Sequence, residues 1–254
     1  MTSTKATTSI ATSNADDVFV RGRSLTKDLI GKLTFTEMTF FQITGAMPTK
    51  AQTAVVDACL VALMEHGLTP SVLSARLVYS SAPEAMQSAV AAGLLAVGSV
   101  FVGTVEGCAA LLERIVLASD DAGMAAAAKA IAEEHRAAKR PIPGFGHPVH
   151  KPDDPRTPCI LRVAEEGGIA GKRVAALRML GAAVDVAWGR HLTINATGAI
   201  AATLGDAGIP ASIMRGFALL ARCAGLVGHI AEEQTRPAMH AIWSAAEAAV
   251  PHEA

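Results

Sequence analysis

The stretch PGFGHPVHKPDDPR, from Pro143 to Arg156, interrupts a chain that is otherwise patterned for helices. Its prolines rule out a continuous helix. Gly144 and Gly146 flank Phe145, so the backbone can bend tightly and approach a ligand closely. His147, His150, Asp153, Asp154 and Arg156 follow within a few residues. A loop that only joins two helices needs none of these groups, although a solvated Pro/Gly connector is the plain alternative. Zinc at His147 and His150, with Asp153, Asp154 and Cys159 nearby, is a second alternative. No closed set of four ligands has the right spacing, so no metal is expected.

On either side the pattern is helical. Thr34–Glu37 has the T-x-x-E form of a capping box, and Gly45 with Pro48 ends that helix. Val55, Val56, Cys59, Leu60 and Leu63 recur at helical spacing between Ala51 and His66. Ser81–Glu84 reads as another capping box, opening a helix with Met86, Ala89, Val90, Gly93, Leu94 and Val97. Helices are expected over Ala109–Leu117 and Ala122–Ala138, from Cys159, from Lys172, near Gly198, and over a long run after Pro210. Strand-like alternation is confined to Phe19–Gly22.

Hydrophobic residues make up 51% of the 254 residues and aromatics only 4%, which favours close-packed helices over a β-sandwich. The net charge of −1 and the lack of a basic run argue against a nucleic-acid partner. The longest apolar stretch, Ala89–Val102, is shorter than the ~20 residues of a membrane span, so a tightly packed core helix is expected and no membrane partner. Cys59, Cys108, Cys159 and Cys223 are scattered, which fits buried thiols in a reducing, cytoplasmic setting. Met1–Ala15 is rich in Thr and Ser without an apolar core, so residues 1–16 are expected to form a loose tail and not a signal peptide.

After Pro210, Arg215, Arg222 and His229 recur every seven residues, on nearly one helix face. Apolar neighbours surround Arg222. An arginine there needs an anion, and its fork suits a carboxylate. Arg215, near the helix start, fits an ordinary mixed surface face. His66, in HGLTPS, ends a helix, where a histidine is electrostatically favoured in any case.

These features together resemble the citrate synthase superfamily. GFGHPVHKPDDPR resembles its G-x-G-H…D-P-R loop, and VRGRSLTKDLIGKLTFTEM, HGLTPS and GLVGHIAEEQTRP also fit. The likeness covers roughly Val18–Trp243. The short length and HGLTPS look more like citryl-CoA lyases and the lyase part of ATP-citrate lyase. It implies an all-α fold: a large helical domain (about 17–112 and 207–254), a smaller lid (about 113–206), and a homodimer or dimer of dimers, with the Met86–Val97 region at the interface. It implies that His147 hydrogen-bonds the ketone or alcohol oxygen. It implies that His66, Arg156 and Arg222 bind substrate, and that Arg236 reaches across the dimer. The Pro143–Gly144–Phe145–Gly146 backbone would recognise the adenine of coenzyme A, with Lys151 on a phosphate. Coenzyme A enters as part of the substrate, beside a polycarboxylate, and no permanently bound cofactor is implied.

Two positions depart from the family pattern. Phe101 stands where an enolate-stabilising histidine is expected, and Thr197 stands where the aspartate that moves the α-proton is expected. Groups of this kind contribute ~10²–10³ in rate each. Backbone N–H groups in Gly98–Gly103, or Thr197 and Asn195 with a water, are the available replacements. The implied reaction is retro-Claisen cleavage of citryl-CoA. Citramalyl-CoA or another branched hydroxyacyl-CoA, and a non-catalytic CoA- or carboxylate-binding protein, are the alternatives.

Overall fold

The computed structural model describes residues 5–100 and 102–253. The chain starts with a small antiparallel sheet, β1 (Ala11–Ser13), β2 (Val18–Val20) and β3 (Arg23–Ser24), paired in sequence order. The expected strand is thus present as β2. Residues 11–13, expected in a loose tail, pair with it, because Asn14 closes the return between them, its Oδ1 accepting the N–H groups of Asp16 and Asp17. The fold is therefore mostly helical and not purely so.

Eleven α-helices lie among the described residues: α1 (Phe35–Thr44), α2 (Lys50–Met64), α3 (Pro70–Ser81), α4 (Met86–Leu95), α5 (Val105–Val116), α6 (Asp121–Ala137), α7 (Arg156–Glu166), α8 (Lys172–Trp188), α9 (Ala196–Asp206), α10 (Met214–Thr235) and α11 (Met239–Ala249). The Thr34–Glu37 capping box closes both of its hydrogen bonds, and Gly45 ends α1 at φ 77°. Thr49 and Gln52 form a second box, at α2. Ser81–Glu84 does not form one. Ser81 is the last residue of α3, and α4 starts after Ala85 with no side-chain cap. Thr69–Pro70, with proline in the first turn, had already started a helix there.

Ala89–Val102 is not one helix. α4 stops at Leu95, which is 88% exposed, and Gly103 N–H closes a turn on Gly98 O. Phe101 lies outside the described residues. The one described helix long and apolar enough to cross a bilayer is the Ala211–Thr235 run containing α10, but it packs on α2, α3 and α4 and carries Arg222 at its middle.

One hydrophobic core runs from Phe40 through α2 and α5–α9 to Ala221. The expected lid boundary at residue 113 falls inside α5, and the core is continuous across it. At its centre α9 is buried over almost its whole length, and its small residues let α2, α5, α7 and α8 approach closely. Cys59 and Cys108 are buried, and burial pushes both thiols up to about 12. Cys159 is exposed and Cys223 half-buried, against the expectation for all four.

Candidate active site

The loop between α6 and α7 brings three imidazoles together. The His147 ring stacks on His150 at 4.3 Å, and His66, from the end of α2, lies 5.4 Å from His147 and 5.7 Å from His150. The Nδ1 atom of His147 accepts the backbone N–H groups of Val149 (3.1 Å) and His150 (2.9 Å). In a neutral ring this places the proton on Nε2. Burial, then the charges of His150 and Arg156, holds the His147 pKa below the usual histidine value.

One ring nitrogen of each imidazole lies within 4.8 Å of those of the other two, a spacing a cation could share. The hydrogen bonds oppose this use. Ligation through Nε2 would require the proton on Nδ1, facing two N–H donors, and Arg156 Nη2 lies 3.5 Å from Nε2. The Nε2–H of His147 and the Arg156 guanidinium instead form a pair of donors suited to an oxyanion or carboxylate.

Arg156 is the first residue of α7 and is aimed by Asp154, which is 0% exposed. Asp154 Oδ1 accepts Arg156 Nε at 3.0 Å, and Oδ2 accepts Nη2 at 2.7 Å and the backbone N–H of Ala196 at 3.0 Å. One carboxylate thereby ties the starts of α7 and α9 together. Asp153 lies outside this knot, bonded to His191 at 3.0 Å.

Arg222 is 2% exposed, and its Nε and Nη1 have no hydrogen-bond partner. Burial lowers its pKa, and Glu65 opposes that. Glu65 adjoins His66, and its Oε1 accepts the His66 and Gly67 N–H groups at 2.8 and 2.6 Å. A Cβ on Gly225 would lie 2.1 Å from Met64 O, so glycine lets α10 pass this close to the end of α2. Arg222 is thus linked electrostatically to Glu65, the residue before His66. The seven-residue stripe has three separate settings. His229 bridges Glu65 Oε2 (2.8 Å) and the guanidinium of Arg76 (2.9 Å), and Arg76 in turn pairs with Glu232 and, at 2.6 Å, with Glu233. Glu233 Oε1 accepts the N–H groups of Ala238 and Met239 at the start of α11. Arg215 pairs with Glu106 at 2.9 Å, as a mixed surface face would.

The Pro143–Gly146 turn is held from below. Gly144 has φ 91°, and a Cβ there would lie 2.5 Å from Cys108 Sγ and 3.2 Å from Gly198 Cα. Much of its backbone is already bonded: Gly144 O accepts Asn195 N–H (3.0 Å), Gly146 N–H donates to Thr193 O (2.8 Å), and Gly146 O accepts Asn195 Nδ2 (2.9 Å). Asn195 also caps α9, its Oδ1 accepting Gly198 N–H, so its amide ties the turn to the start of α9 with one Nδ2 hydrogen left over. Thr197, half-buried, sits in the first turn of α9. Lys151 is exposed at the loop edge.

Beside the turn lies a cavity of about 320 Å³ that the motif reading missed. Arg136, Lys139, Arg140 and Trp188 line it with Ile142 and Phe145, and the Arg136 guanidinium stands 5.8 Å over the Trp188 ring. Three cations around an aromatic face suit a phosphorylated, partly flat ligand. Arg236 is exposed just beyond α10, fourteen residues after Arg222, about 21 Å along at the ordinary helical rise. Within one chain it does not join the cluster.

A family model described as citrate synthase, C-terminal domain, matches residues 3–243. Among solved structures, the citryl-CoA lyase of Hydrogenobacter thermophilus superposes with a TM-score of 0.82 and 30% identity, covering 91% of this chain and 88% of that one. ATP citrate lyase of Methanosaeta concilii, solved with (3S)-citryl-CoA, gives a TM-score of 0.77 at 18% identity over 92% of this chain and 40% of that one, a likeness of fold alone. A Mycobacterium tuberculosis protein that carries the provisional name citrate synthase 2 is 27% identical over 182 residues, 70% of this chain. The chain spans about half of that relative's length, 47%.

Proposed function

The chain belongs to the citrate synthase superfamily, and from that premise we propose that it is a carbon–carbon lyase of the citryl-CoA lyase type. It cleaves a hydroxy-polycarboxyl-CoA thioester to an acyl-CoA and an oxo acid. The observation that carries this reading is Arg222, a buried guanidinium with two unpartnered nitrogens, on a helix that passes against the end of α2 two residues before His66. An uncompensated buried charge is unfavourable until an anion arrives, and a substrate carboxylate supplies one. His147 Nε2–H and Arg156 then hold the carbinol oxygen and a neighbouring carboxylate. The carbon–carbon bond breaks toward the thioester, whose oxygen takes the charge, and the α-carbon is protonated. The nucleotide end of coenzyme A lies in the cavity of Arg136, Lys139 and Arg140, beside the Pro143–Gly146 turn. Arg236 completes the site of a second subunit in a homodimer.

Purified protein given (3S)-citryl-CoA and citramalyl-CoA is expected to release acetyl-CoA from one of them. If no hydroxy-polycarboxyl thioester is cleaved, the lyase reading fails. A second reading, a non-catalytic thioester-binding protein, is favoured by Thr197, whose neutral hydroxyl stands where an acid is expected. Calorimetric CoA binding without turnover on any thioester supports that second reading.

A further inference from the structure

We propose that His150, not His147, accepts the proton of the substrate alcohol; this assignment rests on the lyase reading above. His147 cannot do so in the geometry observed. Its Nδ1 is occupied by two backbone N–H groups, and its Nε2, the atom facing Arg156, already carries the proton. A ring with a donor on its reacting face polarises and stabilises an oxygen. It does not take a proton from one.

The carboxylates nearby are committed elsewhere. Asp154 is buried and bonded to Arg156 and Ala196, Asp153 is bonded to His191, and Glu65 accepts His66 and Gly67 N–H on one oxygen and His229 on the other. Two imidazoles remain. His66 is exposed at the rim. His150 is half-buried, its ring is stacked on His147 at 4.3 Å and 26° between planes, and no hydrogen bond to its ring is seen among the described residues. Its ring centroid lies closer to His147 than that of His66 does, 4.3 against 5.4 Å, and its free nitrogen is the acceptor assigned to the oxygen that His147 and Arg156 address.

The step balances without a co-reactant. The alcohol O–H proton passes to His150. The oxygen becomes a carbonyl, bonded to His147 Nε2–H and Arg156. The carbon–carbon pair moves into the thioester to give an enolate. The His150 imidazolium then returns the proton, directly or through water, to the α-carbon, and oxo acid and acyl-CoA leave. The substrate carboxylates compensate the charge that His150 gains beside the His147–Arg156 pair.

The test uses whichever thioester the wild-type chain cleaves, with His150→Gln, His150→Asn, His147→Gln and His66→Gln. Either His150 variant should lose about 10²–10³ in kcat, with KM changed less than about threefold, and added imidazole should restore part of the rate. His147→Gln should not respond to imidazole. If a His150 variant retains a third or more of the wild-type kcat, or imidazole rescues His66→Gln instead, this assignment is wrong. Nitrogen-15 spectra of histidine-labelled protein provide a readout without turnover: His147 should be the Nε2–H tautomer, and the Nδ1–H tautomer overturns the premise. A wild-type chain inert on every thioester overturns the lyase reading. An active wild type with undiminished His150 variants overturns this proposal alone.

Discussion

Asp154 grips Arg156 from inside the protein, with Oδ1 on Nε at 3.0 Å and Oδ2 on Nη2 at 2.7 Å. Burial raises the Asp154 pKa, but bonds from Arg156 and Ala196 more than offset this and hold it at about 2, against 3.8 ordinarily. As pH falls, the unfolded chain therefore takes up this proton first. The stabilisation is complete above about pH 4 and is lost as pH falls through about 2; it amounts to about 2 kcal/mol. Asp154→Asn should lower stability near neutrality by about 2–3 kcal/mol and flatten that part of the pH–stability curve, as measured by urea melts. It should also raise KM, since Arg156 loses its anchor.

Removing the Arg222 charge should move stability and binding in opposite directions. Arg222→Met eliminates an unpaired buried cation and should stabilise the ligand-free chain by about 1–3 kcal/mol. Citrate at a hundred times its Kd should stabilise the wild type by about 2.7 kcal/mol and leave Arg222→Met unchanged. Thermal melts with and without citrate measure both effects. A destabilised Arg222→Met chain that still responds to citrate would contradict the role given to this arginine.

The cationic cavity makes a graded prediction. Arg140 already pairs with Glu134 at 3.1 Å, whereas Lys139 has no ion pair among the described residues. Lys139→Glu should therefore weaken CoA binding more than Arg140→Glu does, by about tenfold or more, with a shallower salt dependence. Dephospho-CoA should discriminate less between wild type and variant. Calorimetry at two salt concentrations reads all three quantities.

Gly144 combines a left-handed backbone with no room for a methyl group. Gly144→Ala should destabilise the fold by about 2–4 kcal/mol through strain and the contact with Cys108 Sγ. Adding Cys108→Ala should recover only the steric share, because φ remains 91°. Denaturant midpoints of the single and double variants separate the two shares.

The parts of this fold legible in the sequence are those set by neighbours along the chain. Thr34 and Glu37 meet one turn apart, so their spacing predicts their contact. The same logic misreads Ser81 and Glu84, because a capping pattern cannot reveal that Thr69–Pro70 had started a helix that Ser81 ends. The site residues Arg156, Arg222, His66 and His147 stand out by chemistry and family likeness. His150 stands out only as a companion of His147 in the loop motif; its ring stacking on His147 and its approach to His66 from a separate loop are set by tertiary structure. The cavity is equally hidden: Trp188 reaches Arg136 only because α6 and α8 lie side by side.

The relay from Glu65 through His229 and Arg76 to Glu233 ends on the first N–H groups of α11. Every link is a charge or a polar group matched to the next, so loosening one end leaves an unanswered charge to be absorbed by the other. The C-terminal helix is in that respect a tensioner for the loop that carries His66, and a chain trimmed before Ala238 would hold its substrate with a slackened grip.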